Sequence, residues 1–267
     1  MPTQPRARGD IVATFGCADG ETRLQTLRQA GSSRALFPRS PSLFTQMVLT
    51  NTSGGVTGGD RFRTRISVAD GAAVSVTTQA AERAYRAQPG QVGRVATTLE
   101  VGHGSRINWL PQETILFDGC DFARRLTVSL EPDATALLVE PLVFGRTAMG
   151  ETVRSGTVDD RIEVIASGRC VFLDRMRLSG DMAGQLARPA VAGDARAGAV
   201  VVFAAHTAEA RLEPLRALLP KTGGASLLQP ALLVARLLSE DAFELRRSLV
   251  PVLELLHEDV MPRPWMI

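Results

Sequence analysis

A strict alternation of polar and apolar residues runs through residues 61–68, and it resumes at residues 74–77 after an Asp70-Gly71 pair. A period of two residues is typical of a β-strand that buries one face. The Asp-Gly pair supplies the turn chemistry of a two-stranded hairpin, so we predict a hairpin here. Similar alternation dominates residues 42–177, which predicts a mainly β protein.

The strand–turn–strand unit occurs four times along the chain. In each copy, aliphatic residues stand three positions before and three positions after a turn residue, and these turn residues are Gly71, Gly104, Asp133 and Gly168. They are 33, 29 and 35 positions apart. Repetition at this scale is typical of solenoids, which stack similar layers. We therefore predict a layered or helically wound, solenoid-like β structure, with a plain β sandwich as the alternative.

The C-terminal part shows helical periodicity after a last apolar strand at residues 197–205. We predict three helices there. The first is capped by Thr207, the second begins at Pro230, and the third is capped within residues 239–241. Pro251 is expected to bend the third helix or to end it early, because proline cannot donate the backbone hydrogen bond.

The third predicted helix carries a stripe of leucines that exceeds what one core would cover, and a surplus of this kind marks an interface. The stripe consists of Leu245, Leu249, Leu253 and Leu256. Two prolines beside Trp265 predict an extended tail over residues 260–267. The chain is thus predicted as one domain over residues 1–267, mainly β over about 42–205 and helical over about 207–259.

Composition excludes several classes of function. Lys221 is the only lysine among 30 basic residues, and the net charge is +2, which gives no broad basic signature for nucleic acid. The three cysteines, Cys17, Cys120 and Cys170, are scattered and form neither a disulfide framework nor a zinc site. No apolar signal region or membrane-length run is present in the sequence. We expect a cytoplasmic protein that contacts neither nucleic acid nor membrane.

A glycine-rich segment at residues 51–60 is the most conspicuous local feature. It lacks the GK[ST] ending of a phosphate-binding loop and leads into a strand, whereas such loops lead into a helix. We predict a structural role instead. At least two of its glycines, Gly54, Gly55, Gly58 and Gly59, should adopt backbone conformations closed to other residues.

No catalytic constellation is evident. Ser105 follows His103-Gly104, but no G-x-S-x-G elbow surrounds it, and the three histidines stand in unrelated contexts. No HxH, HxxxH or HExxH spacing offers a metal site. We predict that the chain is not an enzyme, and a hydrolase based on Ser105 and His103 is the least favoured alternative.

Several segments, taken in order, resemble the UreD family, which is called UreH in some systems. They are LTNTSGG at 49–55 with GGD at 58–60, TTQAAERAYR at 77–86, LPQETILFDG at 110–119, FGRTAMGE at 144–151 and DR at 174–175, with a weaker PRPW at 262–265. The residues that carry the resemblance include Asn51, Gly54, Gly55, Gly58, Gly59, Gln79, Arg146 and Gly150.

The resemblance implies a function that composition does not reveal. Proteins of this family act as chaperones that bind a helical partner, UreF, and through it a GTPase, UreG, and that dock onto apo-urease so that nickel enters its active site. The family fold is a helical arrangement of β layers with a few helices. A generic β-rich interaction module without a metal role is the main alternative.

The resemblance also implies a polar passage for the ion, with Ni²⁺ bound only transiently and no tightly held cofactor. A conduit needs ligands that release nickel, and carboxylates suit this better than thiolates or imidazoles. Asp60, Asp118, Glu140 and Glu151 are the candidates for a nickel route or its docking surface. Glu140 interrupts an aliphatic strand, so an inward carboxylate there must be paired, hydrated or bound to a cation. An internal salt bridge to an arginine is the structural alternative.

Overall fold

The computed structural model describes residues 4–146 and 149–266 of the chain. Most of these residues lie in β-strands. In chain order the strands are β1 (Arg8–Ala18), β2 (Glu21–Gly31), β3 (Ser33–Leu36), β4 (Thr45–Asn51), β5 (Arg61–Val68), β6 (Ala73–Thr78), β7 (Glu82–Ala84), β8 (Gly93–Val101), β9 (Arg106–Leu110), β10 (Thr114–Leu116), β11 (Asp121–Leu130), β12 (Thr135–Phe144), β13 (Ser155–Ala166), β14 (Arg169–Asp181), β15 (Ala197–Ala204), β16 (Gly223–Gln229) and β17 (Leu232–Ser239).

The strands form two sheets that face each other across a shared core. The seven-stranded sheet has the order β14-β13-β11-β8-β5-β1-β2, and the ten-stranded sheet has the order β16-β17-β15-β12-β9-β6-β4-β3, with β7 and β10 attached beside β12. Inward residues of both sheets, such as Ile66, Leu99, Val76 and Ile107, meet in one buried apolar cluster. Two sheets packed face to face leave the outer face of each sheet to be covered or solvated separately.

Successive coils of chain stack in register, as in a solenoid. Arg61 on β5 pairs with Arg94 on β8, an offset of 33 residues (61 to 94), and Gly93 pairs with Phe122 on β11, an offset of 29 (93 to 122). The ten-stranded sheet repeats these offsets between β6, β9 and β12. These offsets equal the first two spacings of the repeated unit in the sequence. The predicted solenoid-like β structure is therefore confirmed.

The predicted hairpin at residues 61–77 is wrong. β5 lies in the seven-stranded sheet and β6 lies in the ten-stranded sheet, so the Asp70-Gly71 turn is a corner between the sheets. The corner residues Gly71, Gly104 and Asp133 all adopt positive φ, at 72°, 58° and 61°. The fourth unit does form a hairpin, because β13 and β14 pair antiparallel within the seven-stranded sheet around Gly168.

Two of the three predicted C-terminal helices are present, together with one short helix that was not predicted from the sequence. The helices are α1 (Met182–Leu186), α2 (Ala208–Leu218) and α3 (Ala242–His257). Thr207 precedes α2 without a side-chain cap, whereas Asp241 caps α3 by accepting a hydrogen bond from the Glu244 amide at 2.8 Å. Helix α3 continues past Pro251 to His257, so the expected early end is wrong. No helix in the described part of the chain is both long enough and apolar enough to cross a membrane.

The helix predicted to begin at Pro230 is a strand instead. β17 runs over Leu232–Ser239 and pairs with β15 on one side and β16 on the other. Its side chains are buried alternately on both faces, since Val234 packs into the core between the sheets and Leu233 packs under the helices. A strand that is apolar on both faces loses the period-two signal, so its sequence also fits a helical stripe.

Helices α2 and α3 cover the outer face of the ten-stranded sheet. The leucine stripe of α3, namely Leu245, Leu249, Leu253 and Leu256, is buried against outward residues of β12, β15 and β17. The prediction of an exposed apolar surplus on this stripe is therefore wrong, because the ten-stranded sheet covers the stripe. At the end of α3, His257 is buried with Nε2 3.1 Å from Ser75 Oγ and Nδ1 3.0 Å from the Asp259 carbonyl oxygen.

The predicted extended tail is also wrong in its middle part. A 3₁₀ helix spans Arg263–Trp265, and the Trp265 indole is buried and donates a 2.9 Å hydrogen bond to the Leu110 carbonyl. Arg246 of α3 stacks over the same indole at 5.0 Å and donates a hydrogen bond to the Pro264 carbonyl. The tail thus fastens α3 to the end of β9. Residue 267 lies outside the described residues.

The glycine-rich segment fits its structural prediction. Gly54, Gly55 and Gly59 have φ of 80°, 154° and 88°, which other residues rarely adopt. A Cβ on Gly55 would lie 2.3 Å from Tyr85 Cε2 and 2.8 Å from the Arg83 carbonyl oxygen, whereas a Cβ on Gly54 would meet nothing within 4 Å. A substitution at Gly54 therefore tests backbone strain alone, whereas a substitution at Gly55 adds steric overlap.

We expect Gly55→Ala to destabilise the protein clearly more than Gly54→Ala. The Gly54 variant should lose only the cost of positive φ, about 1 kcal/mol, while the Gly55 variant adds a clash with backbone. Urea denaturation of the two variants and the parent chain measures the difference. Equal losses in free energy of unfolding would show that packing against Tyr85 does not require glycine.

Candidate functional site

A layer of charged side chains lies inside the core, between the two sheets. Arg124 on β11, Glu140 on β12 and Asp160 on β13 occupy inward positions and are 7%, 4% and 8% exposed. The inward residues before and after them on the same strands are all apolar: Phe122, Leu126, Leu138, Leu142, Val158 and Ile162. The charged layer therefore separates two apolar parts of the core.

Arg124 holds the layer together. Its Nε and Nη2 donate to the two carboxylate oxygens of Asp160 at 2.8 and 2.7 Å, and its Nη1 lies 2.5 Å from Glu140 Oε2 and 3.2 Å from Thr114 Oγ1. The planar guanidinium suits this two-pronged contact with a carboxylate. Burial opposes the charged form, but the carboxylates of Asp160 and Glu140 outweigh it and raise the pKa of Arg124. Arg124 is thus a fixed positive charge.

Glu140 is the group of the layer that can change its charge near neutral pH. Burial raises the pKa of Glu140 to about 7, opposed by Arg124 and by the hydrogen bond from Trp109, and increased further by Asp160. The Trp109 Nε1 donates to Glu140 Oε1 at 2.8 Å. Two carboxylates share a single guanidinium here, so the layer is neutral when Glu140 is protonated and negative when it is ionised.

Glu140 and Arg124 line a cavity of about 240 Å³ between the sheets. The volume has room for several water molecules. Its other polar lining residues include Asn51, Gln79, Glu82, Gln112 and Thr114. Burial raises the pKa of Glu82, and the Asn51 amide donates to its carboxylate at 3.0 Å. The cavity therefore offers carboxylate and amide oxygens.

Asp60 does not reach this cavity lining. It is buried, and its two oxygens accept hydrogen bonds from the Ala7 amide at 2.8 Å and the Thr57 amide at 2.9 Å. These bonds connect the glycine-rich segment to the start of β1. The geometry is that of a loop cap whose acceptor sites are already used.

Asp118 and Glu151 come together at a different place, on the surface. Asp118 accepts hydrogen bonds from the backbone amides of Ser155 and Arg154 and from Arg86 at 2.8 Å, and these bonds hold its pKa below the usual value. The hydrogen bond from Arg146 at 2.8 Å likewise lowers the pKa of Glu151. Both carboxylates are therefore ionised and already paired.

Most of the family-motif residues contact the cavity lining or the surface cluster of Asp118 and Glu151. Asn51 bridges Gly55 and Glu82, Gln79 accepts from Thr50 and lines the cavity, and the Arg146 guanidinium stacks on Phe117 at 4.4 Å. Gly150 has φ of 68°. Residues 147 and 148 of the predicted motif at 144–151 lie outside the described residues.

The four predicted carboxylates do not converge. Glu140 lines the cavity, Asp118 and Glu151 share a surface cluster, and Asp60 caps a loop. Within residues 4–146 and 149–266, no group of three His, Cys, Asp or Glu side chains is close enough to hold a metal ion. The salt bridge considered as the structural alternative for Glu140 is present, with Arg124 as its partner.

Arg124, Asp160 and Glu82 are site residues that the sequence patterns above do not predict. A signal for the first two was available. Arg124 and Asp160 stand at inward positions of their alternating strands, and they face each other across 36 residues of chain (124 to 160). Opposite charges at inward positions in consecutive repeats indicate a buried pair. Glu82 gave no such signal, because β7 has only three residues.

Ser105 and His103 form no catalytic pair in the structure. The Ser105 hydroxyl is buried and donates to the carbonyl oxygens of Ala69 and His103. The His103 ring is exposed and lies 3.8 Å from Glu131. A serine that donates to backbone carbonyls stabilises a corner of the coil and is not activated as a nucleophile.

The raised pKa of Glu140 predicts a pH dependence of stability. The unfolded chain releases this proton near its ordinary pKa of 4.5, whereas the folded chain keeps it to about 7. The contribution of Glu140 to the free energy of unfolding should therefore fall between these pH values, by about 3 kcal/mol, and level off above them. Glu140→Gln cannot titrate and should lack this fall.

Urea denaturation of the parent chain and of Glu140→Gln from pH 5 to pH 8.5 measures this pH dependence. The stability of the parent chain relative to Glu140→Gln should decrease as the pH rises toward 7. Glu100→Gln, at an exposed outward position on β8, is the matched control for loss of a glutamate. Parallel pH curves for the parent chain and Glu140→Gln would contradict the assignment.

The chain is similar over its whole length to proteins of one family. A model of the family described as UreD urease accessory protein matches residues 7–266. The urease accessory protein UreD of Ruegeria pomeroyi is 52% identical over 244 residues, covering 91% of this chain and 95% of that protein. The protein of the same name from Roseobacter denitrificans is 46% identical over 99% of this chain and 96% of its own length. The chain therefore belongs to the UreD family of urease accessory proteins.

Proposed function

We propose that this chain is a chaperone of urease maturation that helps to insert nickel into apo-urease. It acts in a complex with a UreF-like helical protein and, through that protein, with a UreG-like GTPase. Membership of the UreD family supports the role in maturation. The single observation that supports a direct part in nickel transfer is the cavity between the sheets, which opens to solvent and has Glu140 and Glu82 in its lining.

The chemistry of the cavity suits transit of a cation. Carboxylate and amide oxygens bind Ni²⁺ more weakly than thiolate or imidazole clusters do, so they release the ion more readily. The cost of placing a dication in a protein interior falls where a carboxylate is already present. In this proposal, Ni²⁺ is a cargo that passes the oxygens of Glu140 and Glu82.

Glu140 is the residue on which the transfer depends. Arg124 and an incoming cation compete for the same carboxylate, since Arg124 Nη1 lies 2.5 Å from Glu140 Oε2. Because the pKa of Glu140 is raised to about 7, its proton can leave when a cation arrives without a large cost in free energy. Arg124 remains bound to Asp160 throughout, so the strands stay joined while Glu140 changes partner.

The other predicted carboxylates have different roles in this proposal. Asp60 supports the glycine-rich segment and takes no part in the route. Asp118 and Glu151, with Arg86 and Arg146, form a charged surface cluster. Such a cluster suits contact with a protein partner better than capture of a metal, because both carboxylates are already paired with arginines.

Glu140→Gln should impair urease activation most strongly when nickel is limiting, and added nickel should restore it. The amide keeps the side-chain shape and an acceptor for Trp109 but cannot bind nickel as an anion. The measurement is urease activity in cells that carry the complete urease operon with either the parent or the variant chain, across a nickel series. The rest of the operon is unchanged, and Glu209→Gln, at an exposed position on α2, is the matched control.

Two outcomes would contradict the proposal in different ways. Normal activation by Glu140→Gln at low nickel would favour a β-rich interaction module without a metal role. Loss of activation at every nickel concentration, together with lower stability and lost partner binding, would assign Glu140 to structure alone. A chain that is dispensable for urease activation at fixed nickel would overturn the role in maturation itself.

A further inference from the structure

In the part of the chain that the structure describes, the outer face of the seven-stranded sheet is uncovered, unlike that of the ten-stranded sheet. Helices α2 and α3 pack on the ten-stranded sheet. On the seven-stranded sheet, β5, β8 and β11 alternate between buried inward residues and partly or fully exposed outward residues. The outward residues of this sheet therefore decide what the face can bind.

Arginines dominate this face in two aligned rows. Arg8, Arg61 and Arg94 stand opposite one another on β1, β5 and β8. Arg125, Arg161 and Arg175 stand opposite one another on β11, β13 and β14. Arg63 and Arg65 add two further outward arginines on β5. Like charges directly opposite each other in neighbouring strands are destabilising, so these rows need a reason.

Acidic neighbours compensate only part of the rows. Arg161 lies 3.1 Å from Glu163, and Arg175 binds Asp159 at 2.7 Å. Among the described residues, no carboxylate lies within ion-pair distance of Arg61, Arg94 or Arg125. A pocket of about 330 Å³ lies between Arg94, Arg125, Arg161 and Arg175. The preference of this chain for arginine over lysine explains the residue type, but it does not explain the alignment.

We propose that this face, defined by Arg61, Arg94, Arg125 and the pocket that Arg94 and Arg125 line together with Arg161 and Arg175, is a docking surface for an acidic segment of a partner protein. Guanidinium groups bind carboxylates with two parallel hydrogen bonds, and a row of them fits a run of Asp or Glu side chains. Binding would also remove the repulsion within each row. The inference rests on charge and register and does not depend on nickel transfer.

The observations favour a protein partner over a nucleic acid. Surfaces that bind single strands combine a basic groove with aromatic side chains on which bases stack. The outward positions of β5, β8 and β11 carry no aromatic residue. Carboxylates also lie among the arginines, as with Glu100, Asp159 and Glu163, so the face lacks the continuous basic groove that follows a phosphate backbone.

The test uses the full chain and a fluorescein-labelled oligoglutamate peptide as the probe, followed by fluorescence anisotropy. The parent chain should bind the probe at low salt and release it at high salt. Combined replacement of Arg61→Gln, Arg94→Gln and Arg125→Gln should weaken binding by roughly tenfold or more. Thermal unfolding should show no loss of stability in this variant, because the replacement removes like-charge repulsion.

The matched control replaces three exposed arginines off this sheet, Arg39→Gln, Arg188→Gln and Arg247→Gln, for the same change in net charge. It should bind the probe like the parent chain. No binding by the parent chain, or equal weakening in the two triple variants, would overturn the proposal. Tighter binding of an oligothymidylate through the same three arginines would replace it with a nucleic-acid surface.

Discussion

The ion-paired guanidinium of Arg124 is the interaction on which the interior of this molecule depends. Two of its contacts lie within the seven-stranded sheet, to Asp160, and two cross the core to Glu140 and Thr114 on the ten-stranded sheet. Removing one partner from a buried ion pair costs about 3–5 kcal/mol, because the other charge stays buried without compensation. Because losing this ion pair would be costly, Glu140 stays beside Arg124 in the cavity lining. Replacing a buried ion pair by apolar residues of similar volume is often neutral or stabilising, so stability by itself is weak grounds for the charged layer.

Much of the fold follows from local sequence, and the errors follow from pairing. The alternation in β5 and the spacings of 33 and 29 between Gly71, Gly104 and Asp133 predict stacked coils, and the register offsets are the same numbers. A left-handed corner residue, however, serves a hairpin and a coil equally well. The partner of the next strand decides between them, and that partner lies 29 to 36 residues away. Local turn chemistry therefore could not separate the corner at Gly71 from the hairpin at Gly168.

The candidate site was predictable only where a residue broke a pattern. Glu140 interrupts an aliphatic strand, so its burial and its need for a partner could be inferred, whereas the identity of that partner required the register of β11 and β13. Asp60, Asp118 and Glu151 lie within motifs that resemble the family, and no broken pattern marks them. Their oxygens accept hydrogen bonds from backbone amides and arginines, and these bonds hold loops between the coils. A residue in a family motif can stabilise a loop or bind a ligand. Only its contacts in the structure distinguish these two roles.

The stacking of coils explains why charge collects inside the molecule and in rows on its surface. Each coil places its strands directly beside those of the previous coil, so side chains at equivalent positions line up across the sheet. Inside, where the dielectric is low, Arg124 is aligned with Asp160 in the neighbouring strand, and Glu140 of the facing sheet joins this pair. Outside, alignment of like charges gives the arginine rows, which water and salt make tolerable. The first arrangement is paired within the chain, whereas in the second, among the residues that the structure describes, only Arg161 and Arg175 have carboxylate partners of their own, so the remaining arginines gain such contacts when another molecule supplies the carboxylates.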